Sequence, residues 1–132
     1  MKDIIFDEFQ DSVETSLIRH KSILDISSKF TESSARVNRA IMKAVTNCGC
    51  IKISATKQYI PSDEDSLDCL QECFKSHLEG TLCPNCREII EGEMGNNLFY
   101  LTSLCNSLNI NLYDVLIKEN QKVNTLGKFN FR

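Results

Sequence analysis

Between Asp11 and Asn47 the chain contains neither proline nor glycine. Proline removes a backbone donor and glycine costs entropy in a helix, so a stretch this long without either favours continuous helix. Val13, Leu17 and Leu24 begin an apolar seam, and Ile23, Phe30, Val37, Ile41 and Ala44 continue it at intervals of three, four or seven residues. The pattern predicts one long helix, or two in line with a break near Ser27–Ser34, where Thr31, Ser33 and Ser34 offer capping hydroxyls. Residues 1–10 read as a flexible lead-in.

Asn47-Cys48-Gly49-Cys50 ends that helix, with Gly49 suited to a left-handed cap. Ile51, Ile53 and Ala55 alternate with Lys52, Ser54 and Thr56, which is a short strand pattern inside a longer loop, 47–62. Ser62 followed by Asp63, Glu64 and Asp65 has the hydroxyl cap and acidic first turn of a helix start. This second helix is expected to run to about Leu78, with Gly80 just past its end. Pro84 suits the first position of a third helix, whose stripe is Ile90, Met94, Leu98, Leu101, Cys105 and Leu108. Asn111 caps a fourth, running to about Asn124 with Leu112, Val115, Leu116 and Val123 inward, and a flexible tail is expected over 125–132. The expected fold class is all-α: one domain over 1–132, a four-helix bundle with one longer loop. The long seams on the first and third helices exceed what a short bundle buries, so a homodimer or homotetramer is expected.

Composition narrows the function classes. A net charge of −3 disfavours nucleic-acid binding, and no apolar run approaches the length of a membrane span. Asp3, Asp7 and Glu8 near the start do not fit a secretory signal, so a cytoplasmic location is expected. Seven cysteines, an odd number, argue against a disulfide framework there.

Two of those cysteine groups carry possible chemistry. Cys48 and Cys50 form a C-x-C at a helix end; Cys83 and Cys86 form a C-x-x-C at a helix start; His77 stands six residues before Cys83. Each pair can supply two ligands to a tetrahedral zinc ion, and a metal tie would explain cysteines in a loop too polar to fold by itself. Two other readings stay open: redox-active thiols, although no thioredoxin-like βαβ pattern surrounds them, and small buried hydrophobes. Cys105 lies on an apolar seam, Cys69 and Cys73 sit four apart on the second helix, and His20 lies on the first helix's seam; all four read as packing. Arg36, Arg39 and Lys43 share one helix face, a spacing that suits phosphate contact as well as an ordinary solvated face.

The run Glu93-Met94-Gly95-Asn96-Asn97-Leu98-Phe99-Tyr100-Leu101 resembles the signature of the MazG-like family of all-α nucleotide pyrophosphohydrolases. Leu108-Asn109-Ile110-Asn111-Leu112 is similar to that family's helix-breaking turn, and Lys118, Lys122 and Asn124 follow where it carries lysines and an asparagine. The resemblance covers about residues 85–125. It implies hydrolysis of nucleoside or deoxynucleoside triphosphates to the monophosphate and pyrophosphate, with Mg²⁺ or Mn²⁺ held by an E-x-x-E and an E-x-x-D motif on neighbouring helices. Carboxylates one turn apart face the same way, so two antiparallel helices can hold a metal against phosphates, where it activates water.

This chain departs from the family pattern twice. The second motif reads Glu93-x-x-Asn96, and the nearest substitute for the first is Asp65-x-x-Asp68 with Glu72, Glu79 being a more distant candidate. On the resemblance, Glu93, Asn96, Asp68 and Glu72 would hold the metal, Glu93 and Glu72 would act in catalysis, and Lys118 and Lys122 would bind substrate. The acids also fit a solvated helix face. An alternative is a catalytically degenerate relative, a nucleotide-binding or protein-interaction module with a structural zinc site.

Overall fold

The computed structural model describes residues 2–19, 21–58 and 74–127. Among them are four α-helices: α1 (Lys2–Ser16), α2 (Ile23–Lys43), α3 (Pro84–Ser107) and α4 (Leu112–Leu126). One antiparallel ladder joins β1 (Ile51–Ile53) to β2 (Leu78–Gly80), with Ile51 opposite Gly80 and Ile53 opposite Leu78. The mostly helical fold agrees with the all-α expectation. The greater part of the predicted second helix lies outside the described residues. Its expected end does not hold, because Leu78–Gly80 is strand rather than helix.

The expected lead-in is helical: α1 starts at Lys2. The first long helix is divided earlier than 27–34, since α1 ends at Ser16 and α2 begins at Ile23. The reason is local. Ser28, Thr31 and Ser34 turn their hydroxyls back onto the carbonyls of Leu24, Ser27 and Phe30 one turn earlier. A hydroxyl satisfied by its own helix does not compete for a cap, so α2 runs on through the serines. At its end the backbone widens into a π-turn over Ala44–Cys48, closed by Gly49 N–H donating to the Ala44 carbonyl at 2.9 Å. Gly49 takes φ 80°, the left-handed conformation expected of it.

The antiparallel pairing of α2 with α3 is the largest contact in the fold. The fully buried side chains are Ile26 and Ser33 on α2 and Thr102 and Ser103 on α3, three of them polar. Each hydroxyl is satisfied by a carbonyl of its own helix: Phe30 for Ser33, Leu98 for Thr102 and Phe99 for Ser103. Asn97 crosses the interface, its Nδ2 donating to Ser33 Oγ at 3.0 Å and Ser34 Oγ at 2.9 Å.

The inward face of α3 is not the predicted stripe. Ile90 and Cys105 of the predicted stripe are buried, but Met94, Leu98, Leu101 and Leu108 are exposed in the single chain. Leu24 on α2 and Val115, Leu116 and Val123 on α4 are likewise exposed, against expectation. One apolar cluster sits at the far end of the α2–α3 pair. Ala44, Ile51, Cys86 and Ile90 form its centre, packed by Ile41, Val45 and Leu82. No helix among the described residues is long and apolar enough to cross a membrane.

Candidate functional site

The apolar cluster forms the floor of the cysteine site. The π-turn ending α2 places Cys48, the left-handed Gly49 reverses the chain, and Cys50 leads into β1. On the other side β2 leads through Leu82 to Cys83, the N-cap of α3, and Cys86 follows in its first turn. Gly80 is what allows the two sides to meet. Its φ is +87°, and a Cβ there would stand 2.6 Å from the Cys50 carbonyl oxygen. Glycine is required at that position on both counts.

The Sγ atoms of Cys48, Cys50, Cys83 and Cys86 all lie within 4.8 Å of one another. Zinc bonded tetrahedrally to four thiolates at about 2.3 Å separates the sulfurs by roughly 3.8 Å. The Cys48–Cys83 separation is 3.8 Å. These four side chains can therefore hold a metal such as zinc. The Cys86 backbone N–H donates to Cys83 Sγ at 3.4 Å, the arrangement of an N-terminal cap with sulfur as acceptor. In the metal-free protein that N–H, together with the Cys86 side chain, lowers the Cys83 thiol to about 7. Cys86 is pushed up to about 12, first by its neighbour Cys83 and then by burial. One thiolate among close thiols raises the cost of the next, which a dication removes.

His77 does not join this cluster. It stands before β2 with φ 60°; its Nδ1 accepts from Thr56 N–H at 3.4 Å, and its Nε2 lies 3.0 Å from Gln58 Nε2. Both ring nitrogens serve the loop end of the ladder.

A second feature runs beside the cysteine site. A groove of about 520 Å³ lies between α2 and α3, lined by Glu32, Arg36, Arg39 and Lys43 on one side and Ile89 and Glu93 on the other. The α2 residues recur every three or four positions and form one stripe. One carboxylate oxygen of Glu93, Oε2, is shut off from solvent and has no hydrogen-bond partner. A smaller recess lined by Lys43, Asn47, Cys48, Cys86 and Ile89 shares Lys43 and Ile89 with this groove and reaches two of the four cysteines.

Of the residues assigned by resemblance, Glu93 lines the groove, and Asn96 lies exposed one turn further along α3. Lys118 and Lys122 are exposed on α4 and line no part of the groove. Asp68 and Glu72, with Asp65, Cys69, Cys73 and His20, fall outside the described residues. Cys105 is buried, and burial raises its thiol. That Glu93 and the α2 cations line one groove was not legible in the sequence, because it depends on how two antiparallel helices register.

No family model, curated protein or solved structure matches the chain. The site is therefore read from its own residues.

Proposed function

We propose that this protein is a helical binding module of MazG-like type, stapled by a structural zinc ion at Cys48, Cys50, Cys83 and Cys86. The observation that carries the zinc reading is the convergence of four thiols from two distant segments onto one tetrahedral-sized space. Structural zinc sites have four protein ligands and no open position, and they contribute folding free energy directly. Here the ion would tie the end of α2 to the start of α3 across the apolar cluster. The experiment is metal analysis of the purified chain by mass spectrometry and plasma emission. One zinc per chain that is lost in Cys83→Ser/Cys86→Ser supports the reading; a folded wild-type protein that takes up no zinc rejects it.

A second reading, nucleotide pyrophosphohydrolase, is favoured by Glu93. A carboxylate oxygen closed to solvent and without a partner is unusual, and a divalent cation would satisfy it. On this reading Glu93 and Asn96, with Asp68 and Glu72 by resemblance, would hold Mg²⁺ or Mn²⁺, which would neutralise phosphate charge and activate water. Water then attacks the α-phosphorus, and pyrophosphate leaves from the β side. Pyrophosphate release from a panel of nucleoside and deoxynucleoside triphosphates, run beside Glu93→Gln, tests it. Turnover abolished in the variant supports catalysis; no turnover by folded, metal-replete protein leaves the binding module.

The outward apolar residues of α3 and α4 support self-association as a homodimer or homotetramer. Light scattering coupled to gel filtration measures the mass.

A further inference from the structure

We propose that the groove between α2 and α3 binds a small, multiply charged oxyanion of the phosphate class, held by Arg39 and Lys43 with Arg36 assisting. The inference is independent of zinc, and it deepens the hydrolase reading by naming the residues that contact the anion. It moves those contacts from Lys118 and Lys122 to α2.

The charges of the groove are unequally used. Glu32 is engaged twice, with Arg36 Nε at 3.3 Å and Lys29 Nζ at 3.4 Å. Those two cations hold its carboxyl below the usual range, Lys29 first. Arg39 and Lys43 make no ion pair or hydrogen bond among the described residues. Two unneutralised cations one turn apart therefore face a concave space. Isolated surface cations are weakly attractive in water, but cations at the wall of a groove act together on a ligand held between them.

Geometry selects the ligand class. Arg36 and Lys43 are seven residues apart, roughly 10 Å along the axis at about 1.5 Å per residue. A single anionic group cannot reach the whole stripe with full contact; two or more linked groups can. The guanidinium fork matches the paired oxygens of phosphate, and Lys43 adds a mobile point charge. Ile89 supplies an apolar wall that is half exposed. The Glu93 oxygen without a partner gives a bound divalent cation a place beside the anion. A long polyanion fits less well, because the chain is net negative and Glu88 and Glu91 stand exposed on α3.

The test is calorimetric titration of the zinc-loaded full chain with inorganic pyrophosphate at low salt, with and without Mg²⁺. Arg39→Ala/Lys43→Ala is compared with Lys118→Ala/Lys122→Ala. All four positions are exposed, and circular dichroism and zinc content verify folding of each variant. The expected result is saturable one-to-one binding, weakened at least tenfold in the Arg39/Lys43 variant and unchanged in the Lys118/Lys122 variant. Added Mg²⁺ should tighten binding in the wild type but not in Glu93→Gln. No saturable binding by the folded wild type overturns the proposal, as does equal binding by the Arg39/Lys43 variant. Tighter binding of a single-stranded oligonucleotide than of pyrophosphate at the same residues overturns the small-ligand class. Absence of triphosphate turnover, by contrast, removes the hydrolase reading and leaves this result standing.

Discussion

The two ends of the helical assembly are built on different principles. At the cysteine end, Ala44, Ile51, Cys86 and Ile90 form an apolar cluster beneath four thiols close enough to share one metal ion. At the opposite end Val13, Ile26, Cys105 and Leu112 are buried, and amide side chains tie α1 to the α3–α4 turn. Gln10 Nε2 donates to the Ile110 carbonyl at 2.8 Å, Gln10 Oε1 accepts from Leu112 N–H at 2.9 Å, and Asn106 Nδ2 donates to the Gln10 carbonyl at 3.1 Å. Asn111 adds a bond to Asp7, and Phe6 packs on Tyr113. One end can draw stability from a metal cross-link. The other satisfies backbone groups at a turn and leaves Val115, Leu116 and Val123 outward. Small helical chains have little core to spare, so the two ends should differ in what destabilises them.

The largest contrast should come from removing the metal. Structural zinc contributes on the order of 10 kcal/mol or more to small sites. Chelation, or Cys86→Ser, should lower the melting temperature by more than about 10 °C, since roughly 1 kcal/mol corresponds to several degrees in a domain this size. Hydrogen exchange should accelerate over 44–53 and 78–86 and change little over 104–114. Equal acceleration at both ends would show that the ends are not independent.

Gly80→Ala should follow in size. It forces a side chain into a left-handed backbone and against the Cys50 carbonyl, at a cost of about 1–3 kcal/mol. Because Gly80 pairs with Ile51 next to Cys50, zinc affinity measured by competition with a chromogenic chelator should fall with stability.

Gln10→Ala probes the other end. It removes both side-chain bonds to the α3–α4 turn and should cost about 1–2 kcal/mol in denaturant titration. Zinc affinity should be unchanged; a parallel loss would mean that the ends communicate through α3.

The last contrast is a pH dependence of the metal-free cysteine end. Cys83 is lowered from 9.0 to about 7, so its contribution to folding is fully present above pH 9 and is lost as the pH falls through 7. Cys86 is raised to about 12, so its contribution is present below pH 9 and is lost as the pH rises towards 12. The two windows adjoin at pH 9, so the metal-free cysteine end should be most stable near that pH, and site-resolved alkylation separates the two thiols. Cys83 should label first, with a midpoint near pH 7, and zinc should protect both thiols.

Local signals in the chain were legible where one residue governs one backbone conformation. Pro84 opens α3, Asn111 caps α4 by accepting from Asp114 N–H at 3.0 Å, and Gly49 takes the left-handed turn. The C-x-C and C-x-x-C pairs were likewise visible as half-sites, since two or three residues suffice to set their spacing. Apolar periodicity was a poorer guide. It marked Ile90 and Cys105 correctly, but turned Leu24, Leu98 and Val123 inward where the single chain leaves them exposed.

Residue order alone shows that the described parts are mainly helical, where α3 and α4 begin, and that two cysteine pairs exist. That the pairs meet without His77, that Leu78–Gly80 pairs with β1, and that Glu93 lines one groove with the cations of α2 emerge from the packing. The physical reason is the register of α2 on α3. Asn97 of α3 reaches Ser33 and Ser34 of α2 across their interface, a polar contact that a search for hydrophobic periodicity passes over.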